Sequence, residues 1–386
     1  MIRVIILGLG MVGTTFSVGL ERIKKGEIKP HGVPLADVDL GISIDEIQLV
    51  GAIDVDSRKV NSSIYDVARL IYGMKNVPQS LKNIKVYPGL GGEFVKDLFP
   101  IYEYKDYKDS LDSVYKVIEM TNPDVIMDVT TTQEGKIYRD WRSYEEDVLK
   151  GKASPSQIYA YLALRYAEEV KPVAYINLIP TPVANSPAIV SAAEKIGAIV
   201  LGDDGATGAT PLTADILEHL RERNRKVYSI AQFNIGGNTD FLALLNEKRN
   251  KAKKITKSSI VMDILGYDAP HFIKPTGYLE PLGDKKFVAM HIVYESFNEA
   301  IDEIIVNMRI NDSPALAGLM VDLARLGKLA LDAGLTGTIY EINAFFMKKP
   351  APLGSKNIAR ILAYEQLLGF IKKINQRMPI KERIPT

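Results

Sequence analysis

Arg3–Leu7 is an apolar run that stops at Gly8-Leu9-Gly10-Met11-Val12-Gly13. A short continuous apolar stretch closed by glycines reads as a buried parallel strand and its turn, and the residues that follow predict a helix over about 14–25. IQLVGAIDVD predicts a second strand over Gln48–Ile53, ending at Asp54. NPDVIMDVTTT, PVAYINLIPTP and GAIVLGDDG predict later strands, with a helix over about 154–169 between the first two. Strands alternating with helices define an α/β chain built on a Rossmann-like doubly wound parallel sheet. In such sheets the loops at strand C-termini face the ligand crevice, which is where Thr130 and Thr131 fall.

After Asp204 the texture changes. VYSIAQFNIGG, KFVAMHIVYESF and DEIIVNMRI alternate apolar and polar positions, as an antiparallel or mixed sheet does. This α+β insert ends near Asn311-Asp312-Ser313-Pro314, where a cap residue and a first-turn proline open a long helix that stops at Gly334. That helix is apolar nearly all round except for Asp322, Arg325 and Lys328, so burial on several sides is expected. The division is 1–203 plus 312–386 for the Rossmann part and 204–311 for the insert.

The 386 residues suit two or three domains. With 48 basic against 47 acidic residues, no global field attracts nucleic acid or an anionic membrane, and any anion site is local. No cysteine is present, which excludes disulfides, Cys-ligated zinc and thiol nucleophiles. His31, His219, His271 and His291 are scattered without metal-site spacing. No window is apolar enough for a transmembrane helix, and the glycines at 8, 10 and 13 do not suit a secretory signal.

The chemistry begins in the glycine loop. Gly8 allows the tight turn, Gly10 lets backbone approach a pyrophosphate, and Gly13 lets helix and strand pack, with phosphates on the helix N-terminus at Met11 and Val12. Asp54, at the end of the second strand, is placed to accept the ribose hydroxyls of an adenosine, which favours NAD over NADP. It stands about twice as far from Gly13 as the ~20 residues common in this motif, so 26–46 reads as an insertion. Further on, Thr207-Gly208-Ala209-Thr210-Pro211 joins a strand to an amphipathic helix, with Thr210 as cap and Pro211 in the first turn. Its backbone N–H groups and hydroxyls suit either a phosphate monoester or an ordinary capped helix. Lys348 follows the apolar AFFM, where desolvation lowers an ammonium pKa unless the side chain snorkels. KRNKAKKITK carries six basic residues in ten positions, either a solvated face or a site for a small anion.

Taken in order, the Gly8–Gly13 loop, AIDVDSRKV, GDDGATGAT, QFNIGGNTDFLAL, KKITKSSIV, PLGDKK, NDSPALAGLMVDLAR and AFFMKKP resemble the myo-inositol-1-phosphate synthase family over almost the whole chain. The resemblance implies a Rossmann domain with an inserted α+β domain that holds substrate and builds a homotetramer. It implies a cytoplasmic isomerase that converts glucose 6-phosphate to inositol phosphate: NAD oxidises C5, enolisation and aldol closure follow, and the ketone is reduced again. By match to the family motifs, Lys257, Lys286, Lys348 and Asp284 are the catalytic residues. Asp54, Asn234 and Asp240, with Asp204 of the GDDGATGAT block, join the cofactor ligands. Lysines crowded beside the nicotinamide would lower one another's pKa and stabilise enolate and alkoxide. The departure is at Ala206, where the family carries a lysine. Lys274, Lys285, backbone amides or a monovalent or divalent cation are the candidate replacements. A net dehydrogenase of another phosphorylated polyol or semialdehyde, and a non-catalytic NAD-binding scaffold, are the alternatives.

Overall fold

Val4 and Ile6 face one side of a strand while Ile5 and Leu7 face the other, and all four are buried. This is the pattern of a strand with helices on both sides. In a computed structural model, which describes residues 1–238, 241–242 and 260–377, the strand is β1 (Ile2–Leu7). It lies at the centre of a six-stranded parallel sheet with β2 (Ile47–Asp54), β3 (Val86–Pro88), β4 (Val125–Asp128), β5 (Ala174–Asn177) and β6 (Ile199–Leu201). The order is β3-β2-β1-β4-β5-β6, the doubly wound arrangement, with its switch point between β1 and β4. The reading as a Rossmann-like α/β sheet therefore holds.

Helices cover both faces: α1 (Met11–Lys24), α2 (Tyr107–Thr121), α3 (Trp141–Leu149), α4 (Pro155–Glu169) and α5 (Pro187–Ile196). Ile5, Leu7, Ile126 and Tyr175 pack with Tyr159 and Leu162 of α4 on one side. Val4, Ile6, Met127 and Ile176 pack on the other with residues of the long helix described below. Two details differ from expectation. Helix α1 starts directly after Gly10, so Gly13 lies inside its first turn and faces the sheet. Strand β3 is the other, because three residues ending in Pro88 carry too little apolar pattern to mark a strand.

Beyond β6 the chain forms α6 (Thr210–Glu222) and a second sheet of β7 (Lys226–Gly236), β8 (His271–Tyr278), β9 (Lys285–Glu295) and β10 (Ile301–Asn311), in the order β10-β9-β7-β8. It is mixed, since β7 and β8 run parallel and the other pairs antiparallel. The edge strand β8 is not predicted from the sequence, because Pro275 and Gly277 interrupt its strand pattern; an edge tolerates proline where an inner strand does not. The expected cap on α6 is corrected. Ala209 is the N-cap, it makes no side-chain cap bond, and Thr210 is already the first helical residue.

Strand β10 passes straight into the long helix α7 (Asp312–Asp332). The start of α7 is held from outside by Asp284, whose carboxylate accepts hydrogen bonds from the Ser313 amide (3.1 Å) and hydroxyl (2.5 Å). Met320 and Leu323 of α7 join the Rossmann core. Its polar stripe is explained by a buried pair: Asp322 accepts the Leu35 amide at 2.7 Å, and Arg325 donates to both Asp322 and the Leu35 carbonyl. This ties the 26–46 insertion to the helix. Short α8 (Tyr340–Phe346) and α9 (Arg360–Arg377) complete the described chain.

Candidate functional site

The glycine loop has the shape the motif requires. Gly8 sits at φ +84°, and a Cβ there would stand 2.7 Å from the Thr130 Cα and 2.8 Å from its amide nitrogen. A Cβ on Gly13 would stand 2.9 Å from the Gly8 carbonyl oxygen. Nothing lies within 4 Å of the corresponding point on Gly10, so that face is open. No side chain caps the N-terminus of α1, and no acid lies in its first turn. An uncapped helix start with an open glycine before it favours an anion.

Two chambers meet over this loop and share Gly10, Val129, Thr130 and Thr131. One, of about 180 Å³, runs along the end of β2 and is lined by Asp54, Asp56, Arg58, Lys59, Tyr72 and Tyr159 among others. The second, of about 150 Å³, is lined by Met11, Val12, Leu178–Pro180, Asp204, Thr207, Asn238, Lys286, Asp312, Ser313 and Lys348. Thr130 is fixed between them by the fully buried Asp128, which accepts its amide (3.0 Å) and hydroxyl (2.7 Å) and the Tyr175 hydroxyl (2.8 Å). Burial pushes the Asp128 carboxyl up.

At the β2 end, Asp54 is 6% exposed. One oxygen accepts the Asp56 amide at 2.8 Å and the other pairs with Lys59 Nζ at 3.1 Å. The same ammonium donates to the Leu9 carbonyl of the glycine loop at 3.1 Å. Burial pushes this lysine down, but the charge of Asp54 and the phenolic oxygen of Tyr72 outweigh it and its pKa is raised. Lys59 belongs to the AIDVDSRKV block, yet the motif match gives it no role.

In the other chamber two distant stretches converge. Lys348 Nζ meets Asp204 Oδ1 at 2.9 Å, and Lys286 Nζ meets Asp312 Oδ1 at 3.1 Å. Gly205 and Met347 form an antiparallel bridge, the Ala206 amide donates to the Phe346 carbonyl, and the Lys348 amide to the Asp204 carbonyl. The two segments thus hold each other in register. Just below them, Asp203 has 0% exposure and accepts from Asn177, Asn185 and the amides at 183–185; burial raises its pKa to about 6.

Lys286 also reaches the Thr207–Thr210 loop. Gly208 lies at φ +74°, and a Cβ on it would stand 3.1 Å from Lys286 Nζ. An ammonium therefore stands over the loop that lacks a lysine at 206. Of the lysines expected together, Lys286 and Lys348 share the chamber, each paired with a carboxylate. Lys257 and Asp240, with the 248–257 basic run, lie outside the described residues.

Other expected residues sit elsewhere. Asp284 does not line either chamber and instead holds Ser313. Asn234 is buried in β7, donating to the Lys274 carbonyl at 3.0 Å, while Asn238 faces the chamber. Ala209 and Thr210 are buried in the start of α6 behind Thr207 and Gly208. Asp312 reads in the sequence only as a helix-start residue, although an acid next to NDSP on a strand leading back to the Rossmann sheet is the available signal. Among the described residues no group of three or more His, Cys, Asp or Glu could hold a metal ion, and no helix is long and apolar enough to cross a membrane.

A doubly wound sheet with a glycine-loop cleft and an inserted mixed sheet closing one end defines a Rossmann-type α/β protein with a two-chambered ligand crevice. The chain belongs to the myo-inositol-1-phosphate synthase family. The family model described as Myo-inositol-1-phosphate synthase matches residues 208–313. A solved myo-inositol-1-phosphate synthase-related protein from Thermotoga maritima is 48% identical, with a TM-score of 0.90, over 96% of this chain and 98% of that one. Inositol-3-phosphate synthase of Mycolicibacterium smegmatis is 25% identical over 96% of this chain and 98% of its own. Inositol-3-phosphate synthase from Caenorhabditis elegans, at 17% identity and a TM-score of 0.82 over 100% of this chain and 89% of that one, shares the fold.

Proposed function

We propose that the protein is an NAD-dependent isomerase of the inositol-3-phosphate synthase type that converts glucose 6-phosphate to inositol phosphate. The observation that carries this reading is the meeting of Lys286, Lys348 and the Thr207–Gly208 loop in one chamber beyond the glycine loop. NAD, when bound, supplies the acceptor for the C5 hydride and later returns it. The open Gly10 face, the uncapped α1 start and Asp54 suit the pyrophosphate and adenosine ribose of that cofactor.

In this reading Thr207 and Gly208 receive the substrate phosphate, with Lys286 as the cation that loop position 206 lacks. Lys348 lies by the reacting carbons. Its ammonium stabilises the oxyanion that forms when C5 becomes a ketone and C6 loses a proton, and then the alkoxide of ring closure. Asp204 and Asp312 fix the two ammoniums and take part in relaying their protons. Thr130 and Thr131 line the wall between cofactor and substrate. Asp284 serves through Ser313 and the α7 start rather than by touching substrate. The Rossmann part, 1–203 with 312–386, holds the cofactor, and 204–311 holds the substrate.

Assembly into a homotetramer is part of the proposal. The outer face of the second sheet supports it: Phe233 (43% exposed) packs on Phe272 (40%), and Ile305 is 69% exposed on the same side. Exposed apolar faces of this kind mark association surfaces. The test of function is direct. Purified protein with glucose 6-phosphate and substoichiometric NAD should form inositol phosphate without accumulating NADH. Steady NADH release with another phosphorylated polyol, and no cyclic product, would replace the isomerase by a dehydrogenase.

A further inference from the structure

Lys59 is a buried cation in a part of the cleft where no reacting group of the proposed chemistry lies. Its side chain is 6% exposed. Its ammonium stands 3.1 Å from Asp54 Oδ2, 3.1 Å from the Leu9 carbonyl oxygen and 4.0 Å from Asp56 Oδ2, over the rings of Tyr72 and Phe99. A buried ammonium is costly unless its donors are matched, and here they are matched by the two elements that a dinucleotide bridges. One is the glycine loop at Leu9 and Gly10, whose open backbone face is the proposed pyrophosphate seat. The other is the carboxylate at the end of β2.

We infer that Lys59 is a positioning residue for the cofactor, locking the Asp54 carboxylate and the glycine loop at a fixed separation so that one side chain sets the span between ribose and pyrophosphate sites. This rests on the reading of Asp54 as the ribose acceptor. With Asp54 Oδ1 already taken by the Asp56 amide, rotation of the carboxylate is arrested at both oxygens. The ribose hydroxyls then find acceptor lone pairs aimed in advance, which reduces the ordering cost of binding. Remove the ammonium and Asp54 becomes an uncompensated buried charge free to turn away, while Leu9 loses its tether.

A double-mutant cycle on NAD affinity tests this, with Lys59→Met, Asp54→Asn and the pair combined in the full-length protein, and thermal unfolding followed in parallel. Each single variant is expected to weaken NAD at least tenfold, and the double variant to bind within about threefold of Asp54→Asn, since without the carboxylate the ammonium no longer joins the glycine loop to a ribose acceptor and the lock is already broken. Losses that multiply in the double variant would overturn the proposal, as would a Lys59→Met protein that binds NAD normally while Asp54→Asn does not. An Asp54→Asn protein with unchanged affinity would instead remove the ribose reading and the inference with it. If Lys59→Met alone fails to fold, Asp54→Asn against the double variant, in which both charges are gone together, still decides: closely similar affinities support the lock, a much weaker double variant refutes it.

Discussion

Lys286 Nζ stands 3.1 Å from the point that a side chain on Gly208 would occupy, so the ammonium rests on bare backbone in the loop proposed to hold the phosphate. Gly208→Ala puts a methyl group there and forces a residue with a Cβ into φ +74°. We expect KM for glucose 6-phosphate to rise at least tenfold while NAD affinity stays within twofold. Steady-state kinetics and a NAD titration check this, and an unaltered KM would separate Lys286 from phosphate binding.

Lys348 and Asp204 form a second ion pair among the described residues of the chamber. Lys348→Met should lower kcat by about 10²–10³, the scale for removing one fixed stabiliser of a developing oxyanion, with NAD binding retained. Rapid-mixing measurement of the first turnover would show the loss in the chemical steps. Asp204→Asn, which keeps the size but not the charge, should also impair turnover, because it leaves the Lys348 ammonium without its carboxylate in a buried site.

Much of this arrangement is legible in the sequence. The glycine loop and Asp54 announce themselves because strand, turn and helix make local patterns. The pairing of Lys286 with Asp312 and of Lys348 with Asp204 does not, since those contacts join residues 26 and 144 positions apart through sheet register and the 205–347 bridge. The same holds for Asp284, whose carboxylate looks functional in sequence and is spent on Ser313 in the fold. Lys59 is hidden by its own neighbours: within DSRKV a lysine reads as surface, and only the fold turns it inward between Leu9 and Asp54. Strand β8 is hidden by Pro275, which the edge position permits.

Asp56 gives a pH signature in the chamber at the end of β2. Burial pushes its carboxyl up, but the hydrogen bonds from Arg58, with the charge of Lys59, outweigh it and hold the pKa below the ordinary 3.8. A carboxyl depressed by folding adds stability that is present above its unfolded pKa and lost as pH falls through the folded one. Arg58→Met should therefore be less stable than the parent protein at neutral pH, with the gap closing as pH falls below about 4, where the unfolded chain takes up the proton before the folded one does. Urea unfolding across that range reads the effect; a gap that persists in acid would point to packing instead.

The outer face of the second sheet makes a separate claim. Ile305→Asp places a charge on its exposed side without touching either chamber. Light scattering coupled to size-exclusion chromatography should show the parent protein as a tetramer and the variant as smaller species. A parent protein that runs as a monomer would end the assembly proposal.

Hydride return within one active site is the most direct test of the account. Glucose 6-phosphate deuterated at C5, supplied with NAD in catalytic amount, should give inositol phosphate that keeps its deuterium, with no reduced nicotinamide building up. Deuterium appearing in accumulating reduced nicotinamide, without a cyclic product, would contradict it.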